Sequence, residues 1–405
     1  MPNSGQKTLL SYRDLFFDII YQNFIGSKKI MNKKLLLTPL CVAIFTMQAQ
    51  GAVVYDKDGT QLDIFGHFSA LGLSNHAARV IKSATEKKNQ SNTLLMAVNF
   101  GVSGRTKIND QLYAIGVSEW QMPTGSNGSE KIKARYQYVG LDAQQYGTLT
   151  LGRGDNAYYT VAGVTDIFDE LDMRVNDHYA FGDQLPGLVM YSISAMGWDV
   201  RASYQFAQDE VNDTPVNIKN GAAFSVATRT ANGFSVSYGI SYYDLRENDS
   251  SAMKNYYSKN MTKMYTNDDG LLKSGFDRTP SWKTDRGISI AYGNFGEGFY
   301  AALNYTRTKY SYFTHHINSI DAVAAYSFDN GITISGGYGV KRFNDKNIIS
   351  DLNLGAYYKV TENFKVFAEA TFDINSKPDE FYTEAQIKKY SFDKTKALIG
   401  AEYAY

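Results

Sequence analysis

The sequence is short of the residues that staple, kink or anchor many other folds. Among 405 residues there is one cysteine, Cys41, so no disulfide framework can hold the chain. Seven prolines leave long stretches free to form uninterrupted strands. Net charge is absent as well: 41 basic residues balance 41 acidic ones, which removes the basic excess expected of a nucleic-acid partner. Downstream of residue 51 no segment has the roughly 18 consecutive apolar residues of a spanning helix. That excludes a helical membrane protein. Nucleotide fingerprints, phosphate-binding loops and Ser/His/Asp constellations are missing too. His315-His316 is the one adjacent histidine pair, and neighbours on a strand point to opposite faces, which argues against a shared metal. No enzyme, cofactor or metal is expected.

What is present is tyrosine, phenylalanine and glycine, at 31, 23 and 34 residues. These suit long β-strands lying between water and an apolar medium. The mean hydropathy of −0.34 looks soluble. A transmembrane barrel has that same average, because half of every strand faces an aqueous lumen.

Residues 31–51 have the layout of a secretory signal peptide. Lys33 and Lys34 form its basic start, Leu35 to Met47 its apolar centre, and Ala49-Gln50-Gly51 a small-residue cleavage site. Cleavage there would remove Cys41, and Thr38-Pro39-Leu40 before that cysteine fits a lipoprotein box poorly. Residues 1–30 carry no cleavage site and are expected to be a gene-model extension upstream of a start at Met31. The remaining chain, 52–405, reads as one domain.

Within it, alternation of period two is strict and long. In 234–242, Phe234, Val236, Tyr238, Ile240 and Tyr242 alternate with Ser235, Ser237, Gly239 and Ser241. Residues 332–341, 364–374 and 396–405 repeat the pattern. Nine or more alternating residues exceed the usual strand of about five or six and match the roughly 9–11 of a tilted membrane strand. Asn109-Asp110, Asn232-Gly233, Asn330-Gly331 and Glu362-Asn363 mark tight turns. Other connections, notably 155–185, 247–282 and 376–393, are long and polar. Sixteen strands are expected, beginning near residues 61, 93, 111, 132, 148, 187, 198, 221, 234, 286, 299, 317, 332, 351, 364 and 396. An even number closes an antiparallel barrel without free edges, and about sixteen strands leave room for water inside. Tyr242, Tyr243, Tyr292, Tyr300, Tyr357, Tyr358, Tyr403 and Tyr405 fall near expected strand ends, where interfacial aromatics sit.

Several stretches carry a family resemblance. Ala52-Val53-Val54-Tyr55-Asp56-Lys57-Asp58-Gly59, Leu62-Asp63-Ile64-Phe65-Gly66, Gly104-Arg105-Thr106-Lys107-Ile108-Asn109 and Tyr146-Gly147-Thr148-Leu149-Thr150-Leu151-Gly152-Arg153 stand in the order found in Gram-negative general diffusion porins. From Ala52 onward the chain resembles that family. Gly400, Tyr403 and Tyr405 resemble its C-terminal assembly signal, although the last residue there is more often Phe. The resemblance implies an all-β, sixteen-stranded outer-membrane barrel in a Gram-negative bacterium, with a third loop folded into the pore. It also implies a homotrimer in contact with lipid and lipopolysaccharide, inserted by the barrel assembly machinery. The cargo would be ions and small hydrophilic solutes.

The same resemblance points to site residues. Thr165-Asp166-Ile167-Phe168-Asp169-Glu170 is similar to the acidic segment of the third loop, placing Asp166 and Glu170 at the pore and adding Asp169 where the family often has proline. The loop holds many carboxylates against Arg174 alone, and carboxylates in a narrow aqueous passage favour cations. On the facing wall, Arg135 falls at a position of the family's basic ladder. His67, Asn99 and Gln184 take places where Lys or Arg is common. Arg105, Lys107, Lys133 and Arg201 share the lumenal parity and could compensate. A depleted ladder implies a cation-preferring channel. A solute-specific channel, or a barrel that only anchors an adhesive surface such as the 247–282 loop, are the alternatives.

Overall fold

The computed structural model describes residues 51–81, 93–123, 132–172, 175, 184–208, 217–246, 282–311, 315–343, 345–380, 387 and 391–405. The extension 1–30, most of the signal segment, Arg174, Asp177, Asp183 and the loop 247–281 lie outside the described residues.

The strands are β1 (Ala52–Lys57), β2 (Thr60–Leu73), β3 (Thr93–Asn109), β4 (Leu112–Pro123), β5 (Lys133–Asp142) and β6 (Thr148–Gly154). Next come β7 (Leu185–Ala195), β8 (Trp198–Gln205), β9 (Asn217–Arg229), β10 (Phe234–Arg246), β11 (Trp282–Asn294) and β12 (Glu297–Tyr310). The last are β13 (Ile317–Ser327), β14 (Ile332–Phe343), β15 (Lys346–Lys359), β16 (Phe364–Asp373) and β17 (Lys396–Ala404). All belong to one antiparallel sheet in which β17 returns to β2, from Leu398↔Leu73 to Ala404↔His67. β1 continues along the same edge of β2, from Ala52↔Ile64 to Lys57↔Thr60. The two chain ends together fill one strand position, so the sheet closes as a barrel of sixteen positions. Tyr405 and Gly66 clasp the junction with reciprocal backbone hydrogen bonds of 3.0 and 3.2 Å. The sixteen expected strands are all present as β2 to β17. β1 is the addition, and its six residues are too few to show a period.

Side-chain parity follows the expected alternation but turned inside out. On β10, Phe234, Val236, Tyr238 and Tyr242 are exposed, whereas Ser235, Ser237 and Ser241 are buried against the lumen. Apolar side chains belong outside here because the surrounding medium is lipid. Of the expected interfacial tyrosines, Tyr242, Tyr292, Tyr358 and Tyr403 are on the outer face. Tyr243, Tyr300 and Tyr357 instead point inward, since each differs in parity from the outward residues of its strand; Tyr243 and Tyr300 bond the inner loop, and Tyr357 bonds Glu369, which in turn holds it.

One end of the barrel carries short turns, including 110–111, 196–197, 230–233, 328–331 and 360–363. The other carries longer loops, with a single tight exception between β14 and β15 at 344–345. Short helices follow two of these strands: α1 (Asn75–Ile81) after β2, and α2 (Tyr159–Ala162) in the loop between β6 and β7. Among the described residues no helix is long and apolar enough to cross a membrane.

Candidate functional site

The described part of the loop after β6, residues 155–172 and 175, folds inward and runs along the inner wall, making contacts in strand order. Ala157 donates its backbone N–H to Ser203 on β8 at 3.0 Å, and Asn156 hydrogen-bonds Tyr243 on β10. Tyr158 donates to Thr306 at 3.2 Å, and Asn304 donates to the Val161 carbonyl at 3.0 Å, both from β12. Tyr300 donates to the Val164 carbonyl at 2.6 Å. Thr165 donates to Asp321 of β13 at 3.1 Å, and Ser319 of the same strand donates to the Val175 carbonyl at 2.6 Å. Two paired glycines, Gly239 on β10 and Gly287 on β11, make room for this seat. A Cβ at Gly239 would lie 2.8 Å from Val161 Cγ2, and one at Gly287 2.6 Å from the Tyr158 hydroxyl. Beyond the glycines, Val164, Ile167 and Phe168 bury against Ala291, Tyr300, Ala302, Val323 and Ala325.

The tip of the loop is held by charge instead. Glu369 of β16 accepts backbone N–H bonds from Asp169 (2.5 Å), Glu170 (3.0 Å) and Leu171 (2.7 Å), and a fourth hydrogen bond from the Tyr357 hydroxyl (2.7 Å). Asn353 of β15 donates to the Leu171 carbonyl. Four residues before Glu369 on the same face, Lys365 pairs with Asp169 at 2.7 Å and with Glu402 of β17 at 3.3 Å. Ser69 of β2 donates to Glu402 at 3.3 Å. On the far side, Arg135 of β5 pairs with Glu119 of β4 at 2.8 Å, and Asn99 of β3 donates to that carboxylate at 3.4 Å. His67 stands between, opposite Asn99 in register and under the positive charges of Arg135 and Lys365.

The expected site residues therefore fall in several different places. Asp169, Glu170, His67, Asn99 and Arg135 belong to one buried polar row around the loop tip. Asp166 is only half-buried and accepts a 2.6 Å hydrogen bond from Tyr159 of the loop itself. Gln184 closes the loop: its N–H donates to Asp155 at 3.1 Å, while Arg153 donates to its carbonyl at 2.7 Å. Arg105 and Arg201 lie towards the turn end. Arg105 pairs with Asp142 at 2.8 Å with its guanidinium 3.7 Å from the Tyr113 ring centre, and Arg201 pairs with Asp199 at 2.7 Å. Lys107 is bound to Asp110 at the β3–β4 turn. Of the C-terminal residues, Tyr403 faces outward, Tyr405 stacks on Phe68 at 5.5 Å, and Gly400 faces the lumen beneath the Phe367 ring.

Lys365, Glu369, Glu402 and Glu119 were not singled out from the sequence. Each is a charged residue at an inward position of an otherwise alternating strand, and that parity was the available signal. Burial pushes the carboxyl groups of the loop tip upward. Asp169 rises to about 6 despite the Lys365 charge. Glu170 is held well above the carboxylate range, first by burial and then by Glu369 and Asp169.

A closed barrel with apolar side chains outside, polar ones inside and a loop folded into its lumen defines a transmembrane channel protein. The chain belongs to the Gram-negative porin family, which it matches over residues 47–378. It is 26% identical to the outer membrane porin PhoE of Klebsiella oxytoca over 360 residues, covering 84% of this chain and 92% of that one. With the porin OmpD of Citrobacter koseri the identity is 25% over 387 residues, covering 90% and 99%. Among solved structures, Salmonella typhi OmpF in complex with daunomycin superposes with a TM-score of 0.64 at 18% identity, covering 87% of this chain and 99% of that one. The trimer form of Vibrio cholerae OmpT gives 0.56 at 15% identity, with 86% and 100% covered. The protein is thus a porin of the Gram-negative outer membrane, a divergent member that forms a channel for passive diffusion.

Proposed function

We propose that this porin is a cation-preferring channel for ions and small hydrophilic solutes, working as a homotrimer. One observation carries the reading. Two constriction cations are neutralised in place, Arg135 by Glu119 and Lys365 by Asp169 and Glu402, while among the described residues no ion pair joins Glu170 or Glu369 to a cation. A basic wall facing an acidic loop would set up a transverse field. Here the fixed charge is instead predominantly negative, and negative charge in a narrow low-dielectric passage concentrates cations. The trimer rests on the family and on the trimeric neighbour, and lipopolysaccharide contact and delivery by the barrel assembly machinery follow from the same kinship. The test is reconstitution in planar bilayers under a potassium chloride gradient. A reversal potential biased to potassium, with closures in steps of three, supports the proposal. A chloride bias sinks the cation preference, and single-step closures sink the trimer.

A further inference from the structure

The lumen above the loop tip is not lined as an aqueous passage should be. Inward positions near the loop end of β2, β3, β16 and β17 carry Leu71, Leu73, Leu95, Phe367 and Leu398, all buried. Register makes them one continuous facet: Leu71 pairs with Leu95, Leu73 with Leu398, and Gly400 lies between Leu71 and Phe367. Apolar side chains turned into a water-filled barrel are unfavourable unless something covers them.

Two things do. One is Leu171 at the tip of the inner loop, and the other is α1, whose Ala77 and Ala78 are fully buried in the same cluster. Because the facet points into the barrel, a helix buried on it must lie inside the barrel mouth. Its root is fixed there: Ser74 exchanges backbone N–H and side-chain hydroxyl hydrogen bonds with Ala397 of β17, at 2.9 and 3.0 Å, and Ala78 N–H bonds back to Ser74 at 2.8 Å. The small side chains of Ala77 and Ala78 let the helix approach the wall closely.

We infer that α1 is a second constriction element. Together with Leu171 it seals the β16–β17–β2–β3 side of the lumen and sets the size of solute that can pass. This rests on the diffusion-channel reading and deepens it. The inner loop tip is then gripped from both sides, by Glu369 at its backbone and Lys365 at the Asp169 carboxylate, and by the helix at Leu171. Solutes are confined to the side of β4 to β8, where Arg153, Ser192 and Arg201 are only partly buried.

Two measurements test it. The first replaces residues 75–92 by a short Gly-Ser turn and compares single-channel conductance and uptake of neutral sugars of graded size with the parent. Since a helix occupies a cylinder about 10 Å across, conductance should rise about twofold and the size cut-off should increase. The second uses A78C in a chain beginning at Ala52, which holds no other cysteine. A bulky membrane-impermeant thiol reagent should fail to label it in the folded barrel and should label it after unfolding. Unchanged conductance and cut-off in the loop variant, or rapid labelling of A78C in the folded protein, would overturn the inference. If neither parent nor variant conducts, the channel reading fails, and labelling of A78C still decides where the helix lies.

Discussion

The two halves of the inner loop are held by different forces. From Ala157 to Phe168 the loop is seated by shape: two wall glycines admit Val161 and Tyr158, neutral hydrogen bonds fix the backbone, and apolar side chains cover apolar wall. From Asp169 to Leu171 it is clamped by charge, with one carboxylate taking three backbone N–H groups and one lysine taking the Asp169 side chain. Shape is insensitive to pH and salt. The charge clamp is sensitive to protonation, and buried as it is, it responds weakly to salt. The stem therefore positions the loop, and the tip is where the channel's electrical properties can change.

Removing the centre of the clamp should have the largest effect. Glu369→Ala leaves three backbone N–H groups without their acceptor, and each buried donor stranded this way costs about 1–3 kcal/mol. The expected result is a loop tip that swings away, a larger and noisier single-channel conductance, and a lower thermal unfolding temperature. Conductance traces as quiet as the parent's would show that the stem alone fixes the tip. Lys365→Met comes next. It strands Asp169 and Glu402 as buried carboxylates, and breaking a buried pair costs about 3–5 kcal/mol. Potassium preference should increase as that positive charge is lost. Adding Asp169→Asn to Lys365→Met should recover part of the stability, a coupling that a double-mutant cycle on the refolded barrel would reveal.

This division also explains what could be read from the amino-acid order. Alternation depends only on which medium each face meets, so β10 and β16 were legible from their own residues. So was the inner loop, by its resemblance and its carboxylates. The clamp was not legible in the same way. Lys365 and Glu369 look like ordinary polar positions until the loop is laid over them, because their partners are about 200 residues away in sequence. The inward tyrosines 243, 300 and 357 were misplaced for the same reason: a tyrosine suits a lipid interface and a loop anchor equally, and only strand parity separates the two. Leu71, Leu73 and Leu398 continued strands without revealing that their side chains fill the lumen.

A bulge added to the stem should have a smaller and opposite effect. Gly287→Val places methyl groups where the Tyr158 hydroxyl lies, so the loop must shift away from β11 into the passage. Overpacking of this kind costs about 1–3 kcal/mol. Conductance should fall with ion preference unchanged, since no charge has moved. A changed reversal potential would mean that stem and tip are not separable.

The gentlest probe changes no residue. Asp169 binds its proton near pH 6 and Glu170 holds its proton to higher pH. Raising the pH from 5 to 8 should therefore ionise Asp169 while Glu170 holds its proton longer, adding negative charge at the tip. Potassium preference should rise across that interval, steeply near pH 6. The clamp itself should weaken in the same direction, because these acids bind protons more tightly in the folded barrel than in the unfolded chain, so stability falls as pH rises. Glu170→Gln should leave the step near pH 6 in place, since that step belongs to Asp169. A reversal potential that does not move between pH 5 and 8 would place the selecting charge elsewhere, with half-buried Asp166 the next residue to change.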